Sequence, residues 1–150
     1  MSLEVKEEKR IEKKSDVSTY LDRLKYALIN GQAKIQFQHN RLVDNQRELK
    51  FTNRFTIADL FPDDDEVLTL KRELNLLNIS DYIETVKDRR FINRSEMRVF
   101  GKKYNGNDVY IKIRVELMKS SSFGVDNHVF VMSFHYAEIK FKEDDFPYFK

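Results

Sequence analysis

The chain has 150 residues and a formal net charge of +2 at pH 7, with 41% hydrophobic and 35% charged residues. This composition is typical of a single folded domain and argues against a largely disordered chain. Cysteine is absent, which excludes disulfides, thiolate nucleophiles and cysteine-ligated zinc, and we expect neither a metal nor another cofactor.

The first fifteen residues form a charged segment in which Lys or Arg alternates with Glu. Because it offers almost nothing to bury, we predict a flexible tail over residues 1–15 and a single domain over residues 16–150. The segment lacks the apolar stretch of a signal peptide, and no run in the chain is long enough to span a bilayer. These features favour a cytoplasmic protein with no membrane association.

Three helices are predicted in the first half of the chain. The first begins near Asp16, ends at Asn30-Gly31 and places these apolar residues on one stripe: Tyr20, Leu21, Leu24 and Leu28. A short extended stretch around Ile35 and Phe37 follows. The run FPDDDEVLTLKRELNLL predicts a second helix, since its acidic first turn complements the helix dipole. Ser80 is placed to cap a third, short helix over DYIETVKD.

The second half of the chain has the alternation of strands. MRVFGKK and DVYIKIRVEL flank an Asn105-Gly106 step, which favours a tight hairpin. After the polar loop KSSSFGVDN, the run HVFVMSFHYAEIKF predicts a long strand that is apolar on both faces over its first half. Helices followed by antiparallel strands indicate an α+β fold with the N-terminal helices packed on one face of a C-terminal antiparallel sheet.

Positive charge is concentrated in one part of the sequence. Nine basic and three acidic residues between Lys87 and Arg114 give this segment a net charge of +6, and the rest of the chain carries −4. Such a local field attracts polyanions even when the total charge is small. A solvated basic surface without a ligand is the alternative interpretation.

The hairpin strand DVYIKIRVEL combines this charge with groups that suit RNA. If its odd-numbered residues face the core, Tyr110, Lys112 and Arg114 share the other face. Tyrosine offers a ring and a hydroxyl, lysine a point charge and arginine a fork for phosphate oxygens. His135, at the end of the last strand, is the natural proton-transfer group near neutral pH, although a lone histidine is more commonly a strand-end hydrogen-bonding residue.

The order VFGK, turn, VYIKI, loop and SFH resembles the C-terminal half of MqsR-type toxins, the mRNA-cleaving partners of toxin–antitoxin pairs, which have a RelE-like fold. The helix LKYALINGQ and the segment LNLLNISDYIE extend the resemblance over Tyr20 to Ala137, and VYIKI and SFH carry it most specifically. It implies a metal-independent endoribonuclease that acts on mRNA, free or on the ribosome, and binds a cognate antitoxin protein.

The resemblance aligns three residues with positions of the family: Tyr110 with its strand tyrosine, Lys112 with its strand lysine, and His135 with the Lys or His after Ser-Phe. Two positions depart from the family, because Glu84 stands where it has lysine and Met97 where it has glutamine.

We therefore predict four catalytic residues and a set that binds RNA. Tyr110 would position or protonate the substrate, Lys112 and Arg98 would stabilise phosphoryl charge, and His135 would transfer a proton. The residues predicted to hold RNA phosphates are Lys87, Arg89, Arg94, Lys102, Lys103 and Arg114. Two other functions fit the same residues: a non-catalytic RNA- or ribosome-binding module, and a protein-interaction domain that meets an acidic partner.

Overall fold

A computed structural model describes residues 7–29, 33–89, 93–120 and 124–149, and within them it has three α-helices and one six-stranded sheet. The elements are β1 (Glu7–Arg10), α1 (Lys14–Ile29), β2 (Ala33–Phe37), α2 (Asn53–Leu60), α3 (Glu66–Asn75), β3 (Tyr82–Asp88), β4 (Met97–Tyr104), β5 (Asn107–Ser120) and β6 (Gly124–Tyr136). The α+β class is therefore confirmed. No helix within the described ranges is long and apolar enough to cross a membrane.

The sheet has the strand order β1-β3-β4-β5-β6-β2 and is mixed. Four of its five strand pairs are antiparallel, but β2 runs parallel to β6. The prediction of a purely antiparallel sheet was therefore wrong in this one pair. The difference arises because the extended stretch between the first two helices, which sequence reasoning did not attach to the sheet, adds to its edge.

Two predicted helices are confirmed. In α1, Leu21, Leu24 and Leu28 are buried, as the helical spacing requires, whereas the predicted stop at Asn30-Gly31 lies outside the described residues. In α3, the Asp65 carboxylate accepts a hydrogen bond from the Leu68 amide and so caps the helix, and Leu70 and Leu74 are fully buried.

The third predicted helix was wrong, because YIETVKD forms strand β3 and Asp81 ends a short 3-10 helix before it. The β-branched and aromatic residues of this segment suit a strand, with Tyr82 and Thr85 buried on one side and Val86 packed on the other. Helix α2 was not predicted; it is capped by the Thr52 side chain, which accepts from the Phe55 amide.

The first residues also differ from the prediction of a flexible tail. Glu7–Arg10 forms strand β1, which pairs antiparallel with β3 at the edge of the sheet, and Glu12 is buried. The alternating charges in this segment are therefore used in pairing and ion contacts rather than left in solvent. Over residues 7–15 the predicted tail is corrected to an ordered part of the domain.

The hairpin between β4 and β5 is formed as predicted. Asn105 and Gly106 both have positive φ, at 53° and 81°, which is the backbone that a two-residue turn of this kind requires. The turn fixes the register that places Tyr110 opposite Gly101 and Lys112 opposite Val99.

The sheet has two unlike faces. On the core face, Val109, Ile111 and Ile113 of β5 are fully buried in a single apolar cluster with residues of α1 and α3. On the second face, which carries Tyr110, Lys112 and Arg114, a smaller apolar cluster is centred on Val86, Met97 and Val99. The predicted alternation of β5 is confirmed, and the second face is partly covered rather than fully open to solvent.

A β-bulge in β6 decides which of its side chains reach the second face. Lys112 pairs with Ser133 and Ile113 pairs with Val131, so that Met132 is an extra residue. Helix α2 supports the bulge through Asn53, which is fully buried. Its side-chain amide donates to the Met132 carbonyl oxygen at 3.0 Å, and its Oδ1 accepts from the Phe134 amide at 2.9 Å.

Candidate active site

The bulge brings Tyr110 and His135 together on the second face. The two residues are direct cross-strand partners, and their rings stack with centroids 5.4 Å apart and planes inclined by 23°. Without the extra residue in β6, His135 would share the orientation of Val129 and Val131 and point into the core. The bulge therefore creates the side-chain pair on which the candidate site is built.

Lys112 lies one step further along β5 on the same face. Its cross-strand partner is Ser133, and its Nζ is 3.4 Å from Oε1 of Glu7 on β1. Because β1 pairs with β3, the N-terminal strand places this carboxylate beside the predicted catalytic lysine. Glu7 thus partly neutralises the lysine charge in the structure.

Two arginines that flank a short 3-10 helix (Leu42–Gln46) between β2 and α2 complete the site. Arg41 Nη1 donates a hydrogen bond to Ser133 Oγ at 3.1 Å, and Arg47 Nη1 lies 3.3 Å from His135 Nε2. Arg47 also pairs with Glu138 through Nε at 3.2 Å. Sequence reasoning did not identify Arg41 or Arg47, because they lie outside both the basic segment and any strand with a regular pattern.

The environment fixes the protonation states of the stacked pair. Burial, followed by the nearby carboxylates of Glu84 and Glu7, raises the pKa of Tyr110 to about 12, so its hydroxyl remains a proton donor at neutral pH. Burial lowers the pKa of His135 below its ordinary value; the positive charges of Arg47 and Arg41 add to this, against a hydrogen bond to the Tyr136 carbonyl oxygen. The imidazole is therefore neutral at pH 7.

The hydrogen bonds of His135 also indicate its tautomer. Nδ1 lies 2.8 Å from the Tyr136 carbonyl oxygen, which can only accept, so Nδ1 carries the proton. Nε2 then has a free lone pair, which accepts from Arg47. A neutral imidazole with this tautomer is suited to act as a base at Nε2 when that atom is released.

These groups line one open cleft of about 720 Å³. Its basic side chains are Lys9, Arg41, Arg47, Lys112 and Lys140, and its acidic side chains are Glu7, Glu138 and Asp145. The cleft therefore carries a net positive charge. Its phenol, imidazole and lysine come from two neighbouring cross-strand pairs, Tyr110–His135 and Lys112–Ser133. Such a group of residues can bind an anionic substrate and move a proton to or from it.

Arg98 is not part of this group. Its cross-strand partner is Ile113, so it lies on the core face, opposite to the face of Tyr110 and Lys112. It bonds the buried Glu12 carboxylate, with Nη2 to Oε1 at 2.8 Å, and its guanidinium lies over the Tyr20 ring at 4.4 Å. The predicted grouping of Arg98 with the other three catalytic candidates is corrected: the structure gives Arg98 a structural ion pair.

The residues predicted to hold RNA phosphates are dispersed over the sheet rather than gathered in one patch. Lys102 lies on the core face near the Leu76 carbonyl oxygen and Asp81, and Lys103 is exposed near Asp108. Arg89 pairs with Glu8. The side chain of Lys87 donates to the carbonyl oxygen of Arg94 at 2.9 Å.

Arg114 is on the second face but is buried. Its guanidinium lies over the Phe130 ring at 4.9 Å, and its Nε is 3.4 Å from a Glu116 carboxylate oxygen. Three predicted catalytic residues thus converge in the cleft, whereas the six predicted RNA-binding residues lie outside its lining.

Comparisons with protein-family models, with curated protein sequences and with solved structures found no match to this chain.

Proposed function

We propose that the protein is a metal-independent endoribonuclease that cleaves mRNA in the cytoplasm, the toxin of a toxin–antitoxin pair with a RelE-like fold. The observation that carries this proposal is the convergence of Tyr110, Lys112 and His135 in one positively charged cleft. The toxin assignment and the cognate antitoxin rest on the resemblance of VYIKI and SFH to the MqsR-type family.

The chemistry proposed for the cleft is transfer of the RNA phosphate to the neighbouring 2′-oxygen. His135 Nε2 takes the proton of the 2′-hydroxyl, whose oxygen forms a bond to phosphorus as the bond to the 5′-oxygen breaks. The Tyr110 hydroxyl donates a proton to that leaving oxygen, and its raised pKa keeps this proton in place until then. The products are a 2′,3′-cyclic phosphate and a 5′-hydroxyl end.

Lys112 has the electrostatic role, in which its ammonium stabilises the charge that develops on the phosphoryl oxygens. The family positions occupied here by Glu84 and Met97 supply no such group, since Glu84 pairs with Lys9 at 3.6 Å and Met97 is buried in the second apolar cluster. In this proposal Arg41 and Arg47 supply part of the positive charge that stabilises the phosphoryl oxygens.

The proposal is tested by incubating the purified protein with a single-stranded RNA in the presence of EDTA. We expect cleavage that leaves 2′,3′-cyclic phosphate ends and that is abolished at a given position by a single 2′-deoxy substitution, because the attacking hydroxyl is then missing. Cleavage that requires a divalent ion, or that ignores the 2′-deoxy substitution, would contradict the mechanism.

Two results would favour the alternative functions. RNA binding that weakens steeply with salt, without any cleavage, would indicate a non-catalytic RNA- or ribosome-binding module. No RNA association even at low salt would favour a domain that binds an acidic protein partner.

A further inference from the structure

We propose that Arg41 and Arg47 form an oxoanion site in the cleft and that an anion bound there draws Arg47 away from His135, freeing the imidazole nitrogen. This inference rests on the proposed function only where the anion is identified as the scissile phosphate of RNA. The anion site itself is defined by the geometry of the two arginines.

Arg41 supplies the first guanidinium of the proposed oxoanion site. Its side chain is half-buried, and Ser133 Oγ is the hydrogen-bond partner of its guanidinium. Among the residues that the structure describes, no carboxylate forms an ion pair with it. Burial and the nearby charge of Arg47 lower the pKa of Arg41, which means that the charged guanidinium is less stable here than in water. A planar guanidinium in this position is satisfied best by an oxoanion that accepts two hydrogen bonds from it.

Arg47 supplies the second guanidinium of the proposed oxoanion site. Its charge lowers the pKa of both Arg41 and His135, which places the three groups within electrostatic reach of one another. Its Nη1 contacts a neutral nitrogen acceptor, whereas its Nε faces Glu138 at the more exposed side of the cleft. A hydrogen bond to a phosphate oxygen is stronger than one to a neutral imidazole, so a phosphate between the two arginines competes for the Nη1 donor.

When Arg47 turns from His135 to the phosphate, one nitrogen of the His135 ring is released. Nδ1 stays bound to the Tyr136 carbonyl oxygen, and Nε2 becomes free to accept a proton. The charged and titratable groups that face the ring are Tyr110 from β5, Arg41 and Arg47 from the segment before α2, and Glu138 after β6. Removing the Arg47 contact and adding a negative charge both favour the protonated imidazole, so substrate binding prepares the base for the reaction.

The oxoanion site is tested by titrating the protein with inorganic phosphate at low ionic strength and following the His135 ring signals by NMR. We expect saturable binding, with the pKa of His135 raised by about one unit in the phosphate-bound protein. Arg41→Gln should weaken phosphate binding by about tenfold or more, since a hydrogen bond to a charged group is lost. Arg23→Gln, on the exposed side of α1 and outside the cleft, is the matched control and should bind as the wild type does.

A second variant separates the two arginines. In Arg47→Gln the pKa of His135 should already be raised without phosphate, and added phosphate should raise it further by less than in the wild-type protein, because only the negative charge is then added. If phosphate binds equally well to Arg41→Gln and to the wild-type protein, or if phosphate leaves the His135 signals unchanged, the inference is wrong.

Failure of the inference can be told apart from failure of the proposed function. If the protein binds phosphate in the expected way but does not cleave RNA, the oxoanion site is supported and the proposed endoribonuclease function is wrong. If the wild-type protein and the Arg41→Gln variant cleave RNA at the same rate, the endoribonuclease function is supported and the oxoanion site at Arg41 is wrong.

Discussion

Replacement of His135 by alanine is expected to slow single-turnover RNA cleavage by about 10²–10⁴-fold, the usual cost of a lost general acid or base. RNA affinity should stay nearly unchanged, because the imidazole is neutral and adds no charge to the cleft. The measurement is the rate with enzyme in excess over RNA, together with the equilibrium binding of a 2′-deoxy substrate that cannot be cleaved.

The pH dependence of the same reaction shows whether His135 acts as a base or as an acid. If His135 acts as a base, its neutral form is the active one, so the rate should fall as the pH drops through its pKa. Burial and the neighbouring arginines lower that pKa in the free protein, which places this acid limb of kcat/KM below about pH 6.5. A His135→Ala variant that cleaves at the wild-type rate with an unchanged profile would reduce His135 to a strand-end hydrogen-bonding residue.

Replacement of Glu12 by alanine is expected to lower the free energy of unfolding by about 3 kcal/mol. The Glu12 side chain is 3% exposed, and its Oε1 accepts hydrogen bonds from Thr85 Oγ1 at 2.9 Å and from Arg98 Nε at 3.0 Å. Without the carboxylate, the Arg98 guanidinium, which is 17% exposed, is left largely buried without its ion-pair partner and keeps a hydrogen bond to the Glu96 carbonyl oxygen. Urea unfolding followed by circular dichroism measures the loss.

Glu48 provides a matched control for this change. Its side chain is 74% exposed and approaches Lys50 only at 3.9 Å, so Glu48→Ala should change stability by no more than about 0.5 kcal/mol. A loss below about 1 kcal/mol for Glu12→Ala would mean that the ion pair does not hold Arg98, and the assignment of this arginine to RNA would have to be reconsidered.

Local chemistry made part of the fold predictable. The Asn105-Gly106 turn could be predicted because few residues adopt positive φ, and the turn fixes the register of the two strands that flank it. The alternation of β5 then placed Tyr110 and Lys112 on one face, which the structure confirms. These two site residues are therefore encoded within a short stretch of chain.

The position of His135 was not predictable in the same way. Strict alternation from Val129 and Val131 would carry Ser133 and His135 to the core face, and only the extra residue Met132 reverses this. The bulge is held by Asn53 from a helix about 80 residues earlier in the chain, a contact that strand periodicity does not report.

The positions of Arg98, Arg41 and Arg47 could not be predicted from local sequence patterns either. Val99 and Phe100 are both apolar and both buried, so alternation alone does not tell which face of β4 carries Arg98; its register with Ile113 decides it. Arg41 and Arg47 flank a short 3-10 helix, and the course of this segment over the sheet is set by tertiary contacts such as the bond from Arg41 to Ser133. Nothing in their sequence neighbourhood indicates a site.

We propose that RNA is cleaved in the cleft on the second face of the sheet. This is tested by comparing single-turnover cleavage by two lysine variants, Lys112→Ala in the cleft and Lys14→Ala at the exposed start of α1, with folding checked by circular dichroism. We expect a loss of about 10²-fold or more for Lys112→Ala, because a charge that stabilises the transition state is removed, and a wild-type rate for Lys14→Ala. Equal rates for the two folded variants would contradict it.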